Sequence, residues 1–170
     1  MKSNLIKIVF LVLVVVPFLI SCSQEDDGIY FEDITELSLR PGPVTYTNME
    51  LEILQLVNEH RKKLNLSKLI PLDIISKVAK THTDYMIEVG QVSHENFSER
   101  SQTLINNVAA KSVAENVAFG FSSAQGVFNG WLNSSGHKRI IETVEYTHFG
   151  IKTKTDSNGR NYFTHLFIKI

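Results

Sequence analysis

Residues 162–170 read Tyr-Phe-Thr-His-Leu-Phe-Ile-Lys-Ile. At a period of two, Phe163 and Phe167 fall on one face and Leu166 and Ile168 on the other. A strand that is apolar on both faces is covered on both sides, so it belongs in the middle of a sheet. Upstream, residues 148–155 alternate, and Asn158-Gly159 is a strong turn signal. The C-terminal part is therefore a hairpin whose second strand is central.

The segments before the hairpin have helical spacing. Thr47 and Glu50 stand three apart as in a capping box, and Leu51, Leu54, Val57 and Leu64 recur at helical intervals. A second helix starts at Asp73 after Pro71, with Ile75, Val78, Ala79, Met86 and Val89 on its apolar face. His82 lies on that same face, and Gly90 is a natural stop. A shorter helix is predicted over 98–106. Residues 112–119 are β-branched and small, and read as strand. A fourth helix starts near Ser122, with Gln125 completing a second capping box, and buries Val127, Phe128, Trp131 and Leu132. Helices first and a hairpin last give α+β: helices flanking a small antiparallel sheet.

The N-terminus is a different kind of segment. Lys2 and Lys7 precede an apolar stretch, residues 8–20, that is too short for a permanent membrane span. Leu19-Ile20-Ser21-Cys22 resembles a lipobox, in which lipoprotein signal peptidase cuts before a diacylated cysteine. The expected organisation is a signal peptide over 1–21, a lipidated N-terminus and acidic tether over 22–46, and one domain over 47–170. Cys22 is the chain's only cysteine, so no disulfide can form within the chain. The acidic run after it, residues 23–28, resembles the surface-export signal of some Gram-negative lipoproteins. The formal net charge of −1 gives no nucleic-acid footprint. The expected place is the cell envelope, lipid-anchored to the outer membrane and facing either the periplasm or the outside, with the domain monomeric.

No Gly-rich phosphate loop, G-x-S-x-G elbow, H-E-x-x-H or cysteine pair is present. What remains is a set of histidines and carboxylates. Glu115 is a lone acid inside the apolar, strand-like run 112–119. Burying it bare would cost several kcal/mol, so it must be paired, metal-bound or at a cleft edge. His94, on the loop after the second helix, and His137, after Trp131, are candidate partners. Two imidazoles and one carboxylate could bind Zn²⁺ or another divalent cation, or act as an acid–base pair.

In order along the chain stand Asn58-Glu59-His60-Arg61, Ser93-His94-Glu95-Asn96, Ala114-Glu115-Asn116-Val117-Ala118, Gly130-Trp131 through Gly136-His137, and the aromatic last strand. This series resembles the CAP superfamily, the SCP-like group of cysteine-rich secretory proteins, antigen 5 and plant pathogenesis-related proteins. It is most similar to the disulfide-free bacterial branch. The resemblance implies a three-layer α-β-α sandwich with an open cleft where two histidines and two acids meet, and where some members hold a divalent metal. It carries over to His94, His137 and Glu115. The second acid is missing: Asn133 and Ser134 stand in its place, Ser135 replaces a usual Pro, and Ala114 a usual Gly. Asn58 and Arg61 match the helix-one signature, with a structural role tying that helix to a loop. Trp131 is expected to anchor the core, near enough to His137 to line a cleft wall, and His82 to be a satisfied core group or one that supports the site from behind. His165 is read as sheet packing or cleft lining, and His60 and His148 as surface or hydrogen-bonding groups.

CAP domains have been linked to lipid or sterol binding, to defence and adhesion, and in a few cases to proteolysis. The expected function is a binding module whose His/Glu-lined cleft takes a small ligand, lipid, peptide or glycan. The alternatives are a metal-assisted hydrolase using His94, Glu115 and His137, and a non-catalytic adhesive or structural envelope protein.

Overall fold

The computed structural model describes residues 42–170. The expected signal peptide, Cys22 and all but the last residues of the tether lie outside them. Five helices and four strands follow in order: α1 (Asn48–Lys63), β1 (Ile70–Pro71), α2 (Asp73–Val89), α3 (Phe97–Val108), β2 (Ser112–Phe119), α4 (Ala124–Asn133), α5 (Ser135–Glu142), β3 (His148–Thr155) and β4 (Asn161–Lys169). No helix among the described residues is long and apolar enough to cross a membrane.

The strand order is β1-β3-β4-β2, so the last strand is central and β2 is an edge. β4 pairs antiparallel with β3 and β2. The two-residue β1 adds a parallel edge to β3, which makes the sheet mixed rather than purely antiparallel.

The two faces of β4 feed two cores. Phe163 and Phe167 pack with Ile53, Leu54 and Val57 of α1, Val127, Phe128 and Trp131 of α4, and Ile141 of α5. Leu166 and Ile168 pack with Ile75, Val78 and Ala79 of α2 and Leu104 of α3. That is the α-β-α sandwich. Each fully buried side chain of this size contributes about 1.5–3 kcal/mol relative to exposure.

The capping box at α1 forms: Glu50 N donates to Thr47 Oγ1, and Thr47 N donates to Glu50 Oε2 at 2.7 Å. The face of α1 differs from the one read from apolar spacing. Leu51 and Leu64 are exposed, while Ile53, Leu54 and Val57 are buried together with Glu50 and Arg61. Both charged groups are satisfied where they sit. Glu50 Oε1 accepts from Thr153 N and pairs with Lys152. Arg61 donates to the carbonyls of Ser67, Ile141 and Thr143, and Asn58 brackets Leu69 through its N–H and its carbonyl. These contacts tie α1 to the loop that follows it and to the end of α5.

Gly90 ends α2 in the left-handed region, with φ 70°. Leu72, not Asp73, is the N-cap of α2, and Asp73 accepts instead from Val44 N at 3.2 Å. The cap of α4 is Ser123, which accepts from Gly126 N, one residue past the expected start. α2 lies close against β3. A Cβ on Gly150 would stand 2.5 Å from Ser76 N, so only glycine allows this approach.

Candidate functional site

Glu115 pairs in register with Leu166, which turns its side chain toward α2 and α3. It is buried, with a side-chain exposure of 1%. Oε1 accepts from His94 Nδ1 at 2.8 Å and from Arg100 Nη2 at 2.8 Å, and Oε2 accepts from Arg100 Nε at 2.8 Å. The guanidinium therefore grips the carboxylate with two parallel bonds, the strongest ordinary geometry for such a pair. A third bond, from Arg100 Nη1 to the Glu95 carbonyl, ties the same guanidinium to the loop carrying His94.

The loop is held from its other side by His82. Its Nε2 donates to the Ser93 carbonyl at 2.8 Å and stands 3.9 Å from Glu115 Oε1. Nδ1 of His82 is buried without a partner. His94 is left with Nδ1 bound inward, its side chain half exposed and Nε2 free to face the opening.

The electrostatics follow the contacts. Burial alone pushes the Glu115 carboxyl up. The hydrogen bonds from His94 and Arg100, and the guanidinium charge, outweigh it and hold the group below the usual carboxylate range. Burial pushes the His82 imidazole down, partly offset by Glu115. Burial also pushes His137 down, with the charge of His94 adding to it.

His137 lies in the first turn of α5, in the other helical layer. Its carbonyl accepts from Asn116 Nδ2 at 3.1 Å, and its imidazole is bonded to neither His94 nor Glu115. The structure thus joins His94 and Glu115 directly and sets His137 nearby without a bond. Arg100 was not singled out in the sequence. The available signal was a buried acid in need of a cation, with an arginine six residues after His94. Trp131 is buried and donates from Nε1 to the Val117 carbonyl at 3.1 Å. His60 pairs with Glu142 at 2.8 Å, and His148 Nδ1 bonds Thr147 Oγ1. His165 is fully buried among Trp131, Phe149 and Phe167, and neither ring nitrogen has a partner. That burial takes it down to about 3.

A cleft of about 220 Å³ opens above Glu115, lined by His94, Phe97, Val113, Ala114, Glu115 and Ile140. Phe97 and Val113 belong to the α2-side core and Ala114 and Ile140 to the α1-side core. The cleft therefore runs along the free edge of the sheet, between the layers. A larger hollow, about 330 Å³, lies elsewhere, lined by Val44, Thr45, Ser76, Lys77, Lys80 and Lys152.

These contacts do not fit a divalent cation held by His94, His137 and Glu115. Both carboxylate oxygens already accept hydrogen bonds from Arg100, whose positive charge beside Glu115 would repel a cation bound there. Among the described residues, no three His, Cys, Asp or Glu side chains gather as a metal-holding group. The place of the second acid is the junction of α4 and α5, where Ser134 N bonds the Trp131 carbonyl. No hydroxyl among the described residues is hydrogen-bonded to His94 as a nucleophile would be to its base.

A three-layer sandwich with a histidine–carboxylate cleft at its sheet edge defines an SCP-type domain. The chain belongs to the cysteine-rich secretory protein family (CAP), whose model matches residues 54–167. It is 32% identical over 126 residues to the uncharacterized membrane protein YlbC of Bacillus subtilis, a match covering 72% of this chain and 35% of that protein. A second B. subtilis relative, the uncharacterized protein YkwD, is 26% identical, with 65% of this chain and 44% of that protein covered. The chain thus spans less than half the length of these curated relatives. Among solved structures it is similar to an outer surface protein of Borrelia burgdorferi, with a TM-score of 0.65 and 27% identity, covering 76% of this chain and 98% of that one. It is also similar to an extracellular SCP-domain protein of Bacillus anthracis, with a TM-score of 0.64 and 26% identity, covering 81% and 50% respectively. Apart from YkwD, these relatives are named as surface, extracellular or membrane proteins.

Proposed function

We propose that this chain is a lipid-anchored CAP-domain protein of the cell envelope, held to the outer membrane through Cys22, whose cleft binds a ligand without turning it over. The observation that carries the binding reading is the state of Glu115. A carboxylate gripped by a buried guanidinium is poorly placed to act as a general base or to hold a metal, but it fixes the cleft floor and the orientation of His94. The apolar walls, Phe97, Val113 and Ile140, supply contact area around a few fixed polar groups, as small binding sites do. The anchor is supported by the lipobox-like run ending at Cys22, and the location by the surface and membrane proteins the chain is similar to.

Chemical-shift mapping with a short-chain phospholipid, a soluble oligosaccharide and an extended peptide tests the binding reading. At least one class is expected to move His94, Phe97 and Ile140 together and to be recovered unchanged. Conversion of any probe that disappears in His94→Ala would overturn it in favour of a hydrolase.

A further inference from the structure

The cleft offers more than side chains. β2 is an edge strand, and its pairing with β4 fixes which backbone groups face outward. Gly120 N donates to the Asn161 carbonyl directly across the register, so residues 114, 116 and 118 turn their N–H and C=O toward β4. Residues 113, 115 and 117 turn theirs away. At Val117 the outward carbonyl is taken by Trp131 Nε1, which closes that end of the edge. At Val113 and Glu115 no described residue bonds the outward groups, and both residues line the cleft. Two N–H donors and two C=O acceptors therefore point away from β4, beside a groove walled by Phe97 on one side and Ile140 on the other.

On the reading of this cleft as a binding site, we propose that its ligand is an extended polypeptide, added to β2 as a fifth strand. A peptide backbone presents donors and acceptors at the spacing these four groups require, about 6.6 Å for every second residue. Alternate side chains of that strand would fall toward Phe97 and His94 or toward Ile140, which suits an apolar residue on each side. A lipid tail would fill the walls but leave the four backbone groups to water. The short run left open, bounded by the Trp131 contact, is also the kind of edge that avoids indiscriminate pairing.

The probe is acetyl-Val-Thr-Val-Thr-Val-amide, N-methylated at both threonines to prevent self-association. The control is the same peptide N-methylated at every residue. The first is expected to shift the amide resonances of Val113 and Glu115 and to slow their hydrogen exchange, and the control to bind at least tenfold more weakly. In the protein, Val113→Pro removes one outward donor where an edge tolerates proline and is expected to weaken the first peptide about tenfold. Amides of Val113 and Glu115 that stay unmoved at about 5 mM peptide, or equal binding of the control, would overturn strand addition; the peptide comparison decides this even where the proline variant misfolds. Dihexanoylphosphatidylcholine separates the two levels of the proposal. If it moves Phe97 and Ile140 while the peptide moves nothing, strand addition fails and the binding cleft stands. If neither probe moves them, strand addition fails, and the binding cleft fails with it only when the oligosaccharide is silent too.

Discussion

Replacing Arg100 with Met removes the cation while keeping much of the apolar stem. Arg100 and Glu115 are both buried, with side-chain exposures of 7% and 1%, and are joined by two bonds of 2.8 Å. The variant leaves Glu115 in place with only His94 as a direct partner. Breaking one side of a buried pair costs about 3–5 kcal/mol, because the remaining charge is uncompensated. The Glu95 carbonyl also loses its donor. The pH dependence has a definite sign. In the native protein the Glu115 carboxyl is held low, so its contribution is present above its unfolded value and lost as pH falls through the folded one. In Arg100→Met, burial dominates and raises that carboxyl, so the variant recovers stability as it takes up a proton. The gap between the two proteins is therefore widest near neutral pH and narrows toward about pH 5. Urea unfolding followed by circular dichroism, at pH 7.5 and at pH 5, reads both effects. Arg100→Met/Glu115→Gln removes the buried charge and is expected to regain part of the loss. A single-variant cost below about 1 kcal/mol, equal at both pH values, would refute the claim that this pair holds the cleft floor.

Other expected outcomes are simpler to read. His165→Phe removes an imidazole that is neutral in the fold and protonates once unfolded. Its folded value of about 3 lies below the unfolded one, so the native protein loses about 1.4 kcal/mol per pH unit as pH falls below the unfolded value. The variant is expected to lack that slope in urea titrations, and parallel pH profiles would contradict the burial assignment. Gly150→Ala forces α2 away from β3 at Ser76 and is expected to cost more than about 2 kcal/mol, measured as a lowered urea midpoint with an unchanged slope. Cys22→Ser is expected to move the protein from the membrane to the soluble fraction on cell lysis, and an unchanged partition would remove lipidation from the proposal.

The hairpin and its central strand were legible because β4 is apolar on both faces and the Asn158-Gly159 turn is a local signal. The ends of the helices were legible where a cap was local, as at Thr47 and Gly90. The face of α1 was not. Its buried side includes Glu50 and Arg61, whose partners lie on β3 and near the end of α5, so polarity alone pointed the wrong way. Three of the α1 core positions, Ile53, Leu54 and Val57, still follow helical spacing; Leu51 and Leu64 fit the spacing but stand about half exposed outside the core. At the site, the demand made by Glu115 could be read from one acid in an apolar strand. The partner that meets it could not, because Arg100 reaches Glu115 only through the packing of α3 on β2. An open strand edge was equally invisible, since strand order is a property of the assembled sheet.

Zinc titration of the purified protein by isothermal calorimetry at pH 7.5 tests the central claim most directly, because it asks whether Glu115 is free. The Arg100 grip predicts no stoichiometric site that depends on His94, His137 and Glu115 together. One equivalent of Zn²⁺ bound in the native protein, and lost in His94→Ala, His137→Ala and Glu115→Gln alike, would contradict it.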